Sequence, residues 1–206
     1  MGSASSSHPV LPPFVQEMAD QDRFDDREQE RALVARVREG DPQAIAILMR
    51  LYASRLVRFA SYTVGSRDTA EDIVQQVFVK LWERRATLDS DFRIKPYLFR
   101  AVRNRALDEL DAETVRTRYQ TSVQGEVVAG VIPAMVPSPE EGVLTTAAIQ
   151  AALERLPERH RLALRLRLEQ QMTHAEIAEV LGISVVATKR FVARAIGDLR
   201  KMLWGY

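Results

Sequence analysis

Lys189, Arg190 and Arg194 fall within about one and a half helical turns of one another, shortly after Ser184. Cations grouped in this way suit a polyanion. An Arg fork can hydrogen-bond the edge of a guanine, and a Lys holds a phosphate as a point charge. The plainer alternative is a solvated helix face. Other reactive chemistry is scarce. The chain has no Cys, which excludes disulfides, thiolate metal sites, iron–sulfur clusters and thiol nucleophiles. Its three histidines, His8, His160 and His174, are far apart and show no metal-ligand spacing. No Gly-rich phosphate loop occurs. The chain therefore reads as a binding protein and not an enzyme, with no catalytic residue, metal or cofactor expected.

The elements that must hold these cations are helices. Thr173 and Glu176 have the spacing of a capping box, which opens a helix through Ile177, Ala178 and Leu181. Ala178 is small where two helices would cross closely. Gly182 permits the left-handed backbone of a tight turn. Ile177, Leu181 and Ile183 supply the core of the corner, and Ser184 caps the helix that bears the cations. This is the layout of a DNA-binding helix-turn-helix, although an unrelated helical corner can share it.

The rest of the 206-residue chain is patterned in the same way, and its 46% apolar content is enough to build a core. Leu33, Val34 and Val37 precede a stop at Gly40. Asp41 and Pro42 then read as N-cap and first helical residue before Ile45, Leu48, Leu51, Tyr52, Leu56, Phe59 and Tyr62. Asp68 and Glu71 resemble a second capping box, ahead of Ile73, Val74, Val77, Phe78, Leu81 and Trp82. Pro96 reads as the start of a helix through Leu98, Val102, Ala106 and Leu110, and helix starts are also expected at Ser138–Glu141 and at Pro157. The predicted class is all-α, with two small helical domains, 28–113 and 139–206. A flexible linker, 114–138, is punctuated by Gly125, Gly130, Pro133 and Pro137. Residues 1–27 read as a disordered acidic extension.

Net charge is only +1, but it is unevenly placed: −5 over 1–30, +3 over 31–113 and +4 over 147–206. Two basic blocks behind an acidic head suit a nucleic acid partner. No apolar run approaches the roughly 20 residues of a membrane span, and no basic-then-apolar leader is visible, so no membrane insertion and a cytoplasmic location are expected.

Two separated blocks resemble the extracytoplasmic-function (ECF) sigma factors of the sigma-70 family, the promoter-recognition subunits of bacterial RNA polymerase. Ala70–Trp82 is similar to the family's polymerase-binding helix, and Pro96–Asp108 to its helix for the −10 promoter element. Leu156–Arg194 is similar to its domain for the −35 element. The resemblance implies recruitment of polymerase and melting of DNA. It implies core polymerase, promoter DNA and an anti-sigma protein as partners, and a monomer is expected.

In the first domain it places Asp72, Gln75, Gln76 and Glu83 toward polymerase, where the alternative is a solvated face. Ala86–Lys95 falls where the family captures an unstacked base. A flipped base needs an aromatic wall and an edge reader. Phe92 fits the first need unless it closes the bundle, and Asp91 or Ser90 fits the second. Arg93, Lys95, Arg100, Arg103 and Arg105 offer themselves to phosphates, and Asn104 either pairs with DNA or braces its helix. In the second domain Ser184, Val185, Lys189, Arg190 and Arg194 form the expected major-groove surface.

Some residues depart from the family pattern. Gln76 stands where glutamate is common. Asp111, with Glu109 and Glu113, makes an acidic end after the −10 helix, where many members carry a basic residue. Phe191 replaces a frequent arginine on the recognition helix and is expected to be buried. A stand-alone helix-turn-helix regulator is the competing reading, and a purely protein-binding helical adaptor is the third.

Overall fold

A computed structural model describes residues 27–124 and 146–205. Among these every regular element is helical: α1 (27–38), α2 (Pro42–Val64), α3 (Arg67–Glu83), α4 (Ile94–Gln124), α5 (Thr146–Glu154), α6 (Glu158–Leu168), α7 (His174–Leu181) and α8 (Val185–Trp204). A single 3₁₀ turn, Arg85–Thr87, follows α3. The acidic extension, the helix start at Ser138 and most of the expected linker lie outside the described residues.

The α1–α2 corner forms as its local signals require. Gly40 takes φ +84°, a conformation that costs a residue with a Cβ but not glycine. Asp41 Oδ1 accepts the Gln43 N–H at 2.8 Å, which caps α2. Arg36 donates Nε–H to the same carboxylate at 2.8 Å. That bond, ahead of the Gln43 N–H, holds the Asp41 carboxyl below its ordinary pKa.

Three boundaries differ from the sequence reading. The cap of α3 is Ser66, whose Oγ accepts the Thr69 N–H at 3.3 Å, and not Asp68. Glu71 instead pairs with Arg67 one turn back, at 2.8 Å. The α4 helix begins at Ile94, which places Pro96 inside its first turn. Proline is tolerated there because an N–H at that position would have no helical acceptor. Finally, α4 runs on to Gln124, into the segment expected as linker. From Ala112 to Gln124 there is no Gly or Pro, and the first breaker is Gly125.

Contact density divides the chain into two units, and α2 and α3 contribute to both. One holds α1, α2 to Ala53, and Phe78–Ile94. Its interior is Val34, Val37, Ala44, Leu48, Tyr52, Phe78, Leu81, Leu88 and Ile94. The Tyr52 hydroxyl hydrogen-bonds Glu30. The other unit holds Ser54–Val77 and everything from Lys95 onward. Phe59 and Phe99 meet edge to face there, with ring centres 5.2 Å apart. Leu56, Ile73, Leu98 and Val102 are buried with them. Further along the same unit α8 packs on α5, α6 and α7, and α6 packs on α7. Leu164, Leu166, Met172 and Ile177 are at most 1% exposed there.

Arg165 is a charged residue in this apolar setting, 4% exposed. It donates to Glu169 at 3.3 Å and to Gln150 at 3.4 Å, which partners both terminal nitrogens, while its Nε has no hydrogen-bond partner among the described residues. Leu51, expected on the apolar face of α2, is 50% exposed. It lies beside Tyr52 in sequence, but successive helical residues point 100° apart, and only Tyr52 faces inward. No helix among the described residues is long and apolar enough to cross a membrane.

Candidate nucleic-acid interface

The α7–α8 corner is built from its caps. Thr173 Oγ1 accepts the Glu176 N–H at 3.2 Å, and Glu176 Oε2 accepts the Thr173 N–H at 2.7 Å, so the expected capping box is complete. Gly182 takes φ +66°, and the following Ile183 N–H donates to Ala178 O at 3.0 Å. Ser184 Oγ then accepts the Ala187 N–H at 3.1 Å and starts α8. Ile177, Ala178 and Leu181 are buried as expected, and Ile183 is half-buried. Removing this cap has a measurable cost. Thr173→Ala is expected to destabilise the C-terminal helices by about 1 kcal/mol, and urea unfolding followed by circular dichroism checks it. No change would show that the box contributes nothing.

The first two turns of α8 leave Ser184, Val185, Val186, Lys189 and Arg190 exposed, with Arg194 just beyond. Thr188, Val192 and Ala195 turn inward. The cations are thus on the surface and the packing residues are not. His174 stands near this group: burial lowers its pKa below the ordinary 6.5, and the charges of Arg167 and Lys189 lower it further. At neutral pH it adds no charge to the surface. Phe191 is half-buried, not fully buried, and stacks at a tilt on His160 with ring centres 4.9 Å apart.

The other expected DNA surface has two parts. Between the 3₁₀ turn and α4, Leu88 and Ile94 are buried and anchor a loop. Within it Asp91 and Arg93 are exposed and Phe92 is half-buried, its N–H donating to Asp89 O at 3.1 Å. On α4, Arg100, Arg103 and Asn104 share one face at three- and four-residue spacing. Arg100 and Asn104 are exposed, while Lys95 is half-buried. Arg103 is half-buried, and its buried Nε has no hydrogen-bond partner among the described residues. Arg105 departs from this set. It turns to another face of α4 and donates Nε–H to Gln76 Oε1 of α3 at 3.0 Å.

That bond was not legible in the sequence, because its partners are 29 residues apart. It joins Gln76 to α4, while Asp72, Gln75 and Glu83 stand exposed on α3 as expected. Ile73, Val74, Val77, Phe78 and Leu81 form the opposite, buried face. Val79 interrupts the polar stripe at 56% exposure, which sequence reasoning missed. Trp82 is half-buried, with the Arg85 guanidinium 4.5 Å from its ring centre.

A capped helix-turn-helix carrying surface cations, preceded by helices with a second basic face, fits a DNA-recognition protein. Comparison with known proteins gives the family. The sigma-70 region 2 model matches residues 48–115, and a sigma-70 region 4 model matches residues 146–199. The RNA polymerase sigma factor NccH of Alcaligenes xylosoxydans xylosoxydans is 32% identical over 178 residues, covering 84% of this chain and 94% of NccH. The ECF RNA polymerase sigma factor SigW of Bacillus subtilis is 26% identical over 182 residues, 82% of this chain and 94% of SigW. The fold is shared with CnrH, solved in complex with the cytosolic domain of CnrY, at TM-score 0.59 and 22% identity over 84% of this chain and 96% of that one. The chain belongs to the ECF sigma factors of the sigma-70 family.

Proposed function

We propose that this chain joins core RNA polymerase in the cytoplasm, recognises the −10 and −35 promoter elements, helps separate the strands and so initiates transcription. The observation that carries this is the capped α7–Gly182–α8 corner with Lys189 and Arg190 outward, in a chain where a region 2 block precedes a region 4 block. The parts divide as 28–113 for polymerase and the −10 element, 114–138 as linker, with the end of α4 forming its first part to Gln124, and 139–206 for the −35 element. The test is promoter-dependent transcription by purified core polymerase with and without the chain. Specific promoter affinity without polymerase would favour a stand-alone regulator instead.

Roles follow from position. Ser184, Val185, Lys189, Arg190 and Arg194 meet the −35 element. Ser184 uses its Oγ as an acceptor in the cap, and its hydroxyl proton remains for a phosphate. Asp91, Phe92, Arg93, Lys95, Arg100, Arg103 and Asn104 meet the −10 region. Asp72, Gln75, Gln76 and Glu83 face polymerase. CnrH has been solved with the cytosolic domain of CnrY, and a sigma factor RpoE of the same fold with the anti-sigma factor NepR. An anti-sigma protein is accordingly assigned as a further partner, with one copy of this chain acting per polymerase.

Asp72→Lys tests the polymerase face. The residue is exposed, opposite Ile73 and Val77, so helix content should be unchanged while affinity for core polymerase falls at least several-fold in a titrated pull-down. Equal affinity would remove Asp72 from the interface, and loss of helicity would make it structural.

A further inference from the structure

Along α8, Val186, Arg190, Ala193 and Gly197 follow one another at four-, three- and four-residue steps, on the side away from the buried Thr188, Val192 and Ala195. Two members of this line stand out among the described residues. Val186 is 61% exposed, and its neighbour Val185 is 41% exposed. Gly197 stands in mid-helix, where glycine weakens the helix relative to alanine, yet a Cβ at that position would meet nothing within 4 Å. Both make sense if this face lies close against something else. The flanking Lys189 and Arg190 require that surface to be anionic, and Val186 requires it to offer an apolar point. The DNA major groove provides both: phosphates along its rims, and the thymine C5-methyl as an apolar group among its base edges. The first turns of a recognition helix are the part that reaches those edges.

We propose that Val186 reads a thymine C5-methyl group in the upstream promoter element, with Val185 beside it. This rests on the sigma-factor reading above and extends it to the sequence recognised. Val186 and Arg190 are four residues apart, about 6 Å along the helix, which is roughly two base steps. The element should therefore carry a T·A pair within about two steps of the G·C pair that Arg190 contacts. Ala193 and Gly197 keep the same face low, so that the helix can lie close in the groove.

The test uses holoenzyme assembled from core polymerase and the full chain. Duplexes are first selected from a library randomised over both promoter elements. Each thymine of the selected upstream element is then replaced by deoxyuridine, which lacks only the methyl group. One replacement should weaken binding about fourfold, the worth of one buried methyl. In the Val186→Ala holoenzyme the same replacement should change nothing. Val186 is exposed and alanine favours helix, so this variant folds. A selected element without thymine near the guanine overturns the proposal. So does a wild-type holoenzyme indifferent to deoxyuridine, or a deoxyuridine effect that survives in Val186→Ala. If selection enriches no pair of elements at all, the sigma-factor reading itself fails and takes the proposal with it.

Discussion

Replacing Arg190 by alanine should blunt the preference for a correct −35 element over a mutated one by roughly 5- to 150-fold, the value of about 1–3 kcal/mol for a bidentate contact to guanine. Arg190 is exposed in the second turn of α8, in line with Val186, and Ser184 and Gly182 fix where that helix begins. Lys189→Ala serves as the contrast. A phosphate contact carries no sequence information, so this variant should weaken binding to both promoters alike and reduce the salt dependence by about one charge. The measurement is holoenzyme binding to the two promoters at several salt concentrations. Equal weakening of both promoters by Arg190→Ala would make Arg190 a phosphate contact and leave base recognition to another residue.

Phe99→Ala carries the largest expected effect on stability. The ring is fully buried and meets Phe59 edge to face. Its removal leaves a cavity that the surrounding helices cannot fill, at a cost of about 3–5 kcal/mol. That is a large share of the 5–15 kcal/mol by which domains are ordinarily stable. The urea midpoint, followed by far-ultraviolet circular dichroism, should drop sharply, and Phe99→Leu should drop less because it leaves a smaller void. A fall of under about 1 kcal/mol for the alanine variant would mean that the site collapses around the missing ring.

The sequence by itself determined those features whose cause lies within four or five residues. Thr173 with Glu176, Gly182 with Ser184, and Gly40 with Asp41 each set a helix end through a hydrogen bond or a left-handed turn between near neighbours. The helical period placed Ile73, Val77, Leu98 and Val102 on buried faces, because a helix must turn one stripe inward. The helix-turn-helix and its outward cations were legible for the same reason. Tertiary structure decided the rest. Ser66, not Asp68, caps α3, since both are capping residue types and only the path of the incoming chain selects between them. Gln76 meets Arg105 because two helices distant in sequence pack together, and no local spacing encodes that pair. Val79 and Val186 are apolar residues that the sequence reading did not single out, and both stand in solvent. Burial is a property of what packs against a helix face, and among the described residues nothing covers these two faces.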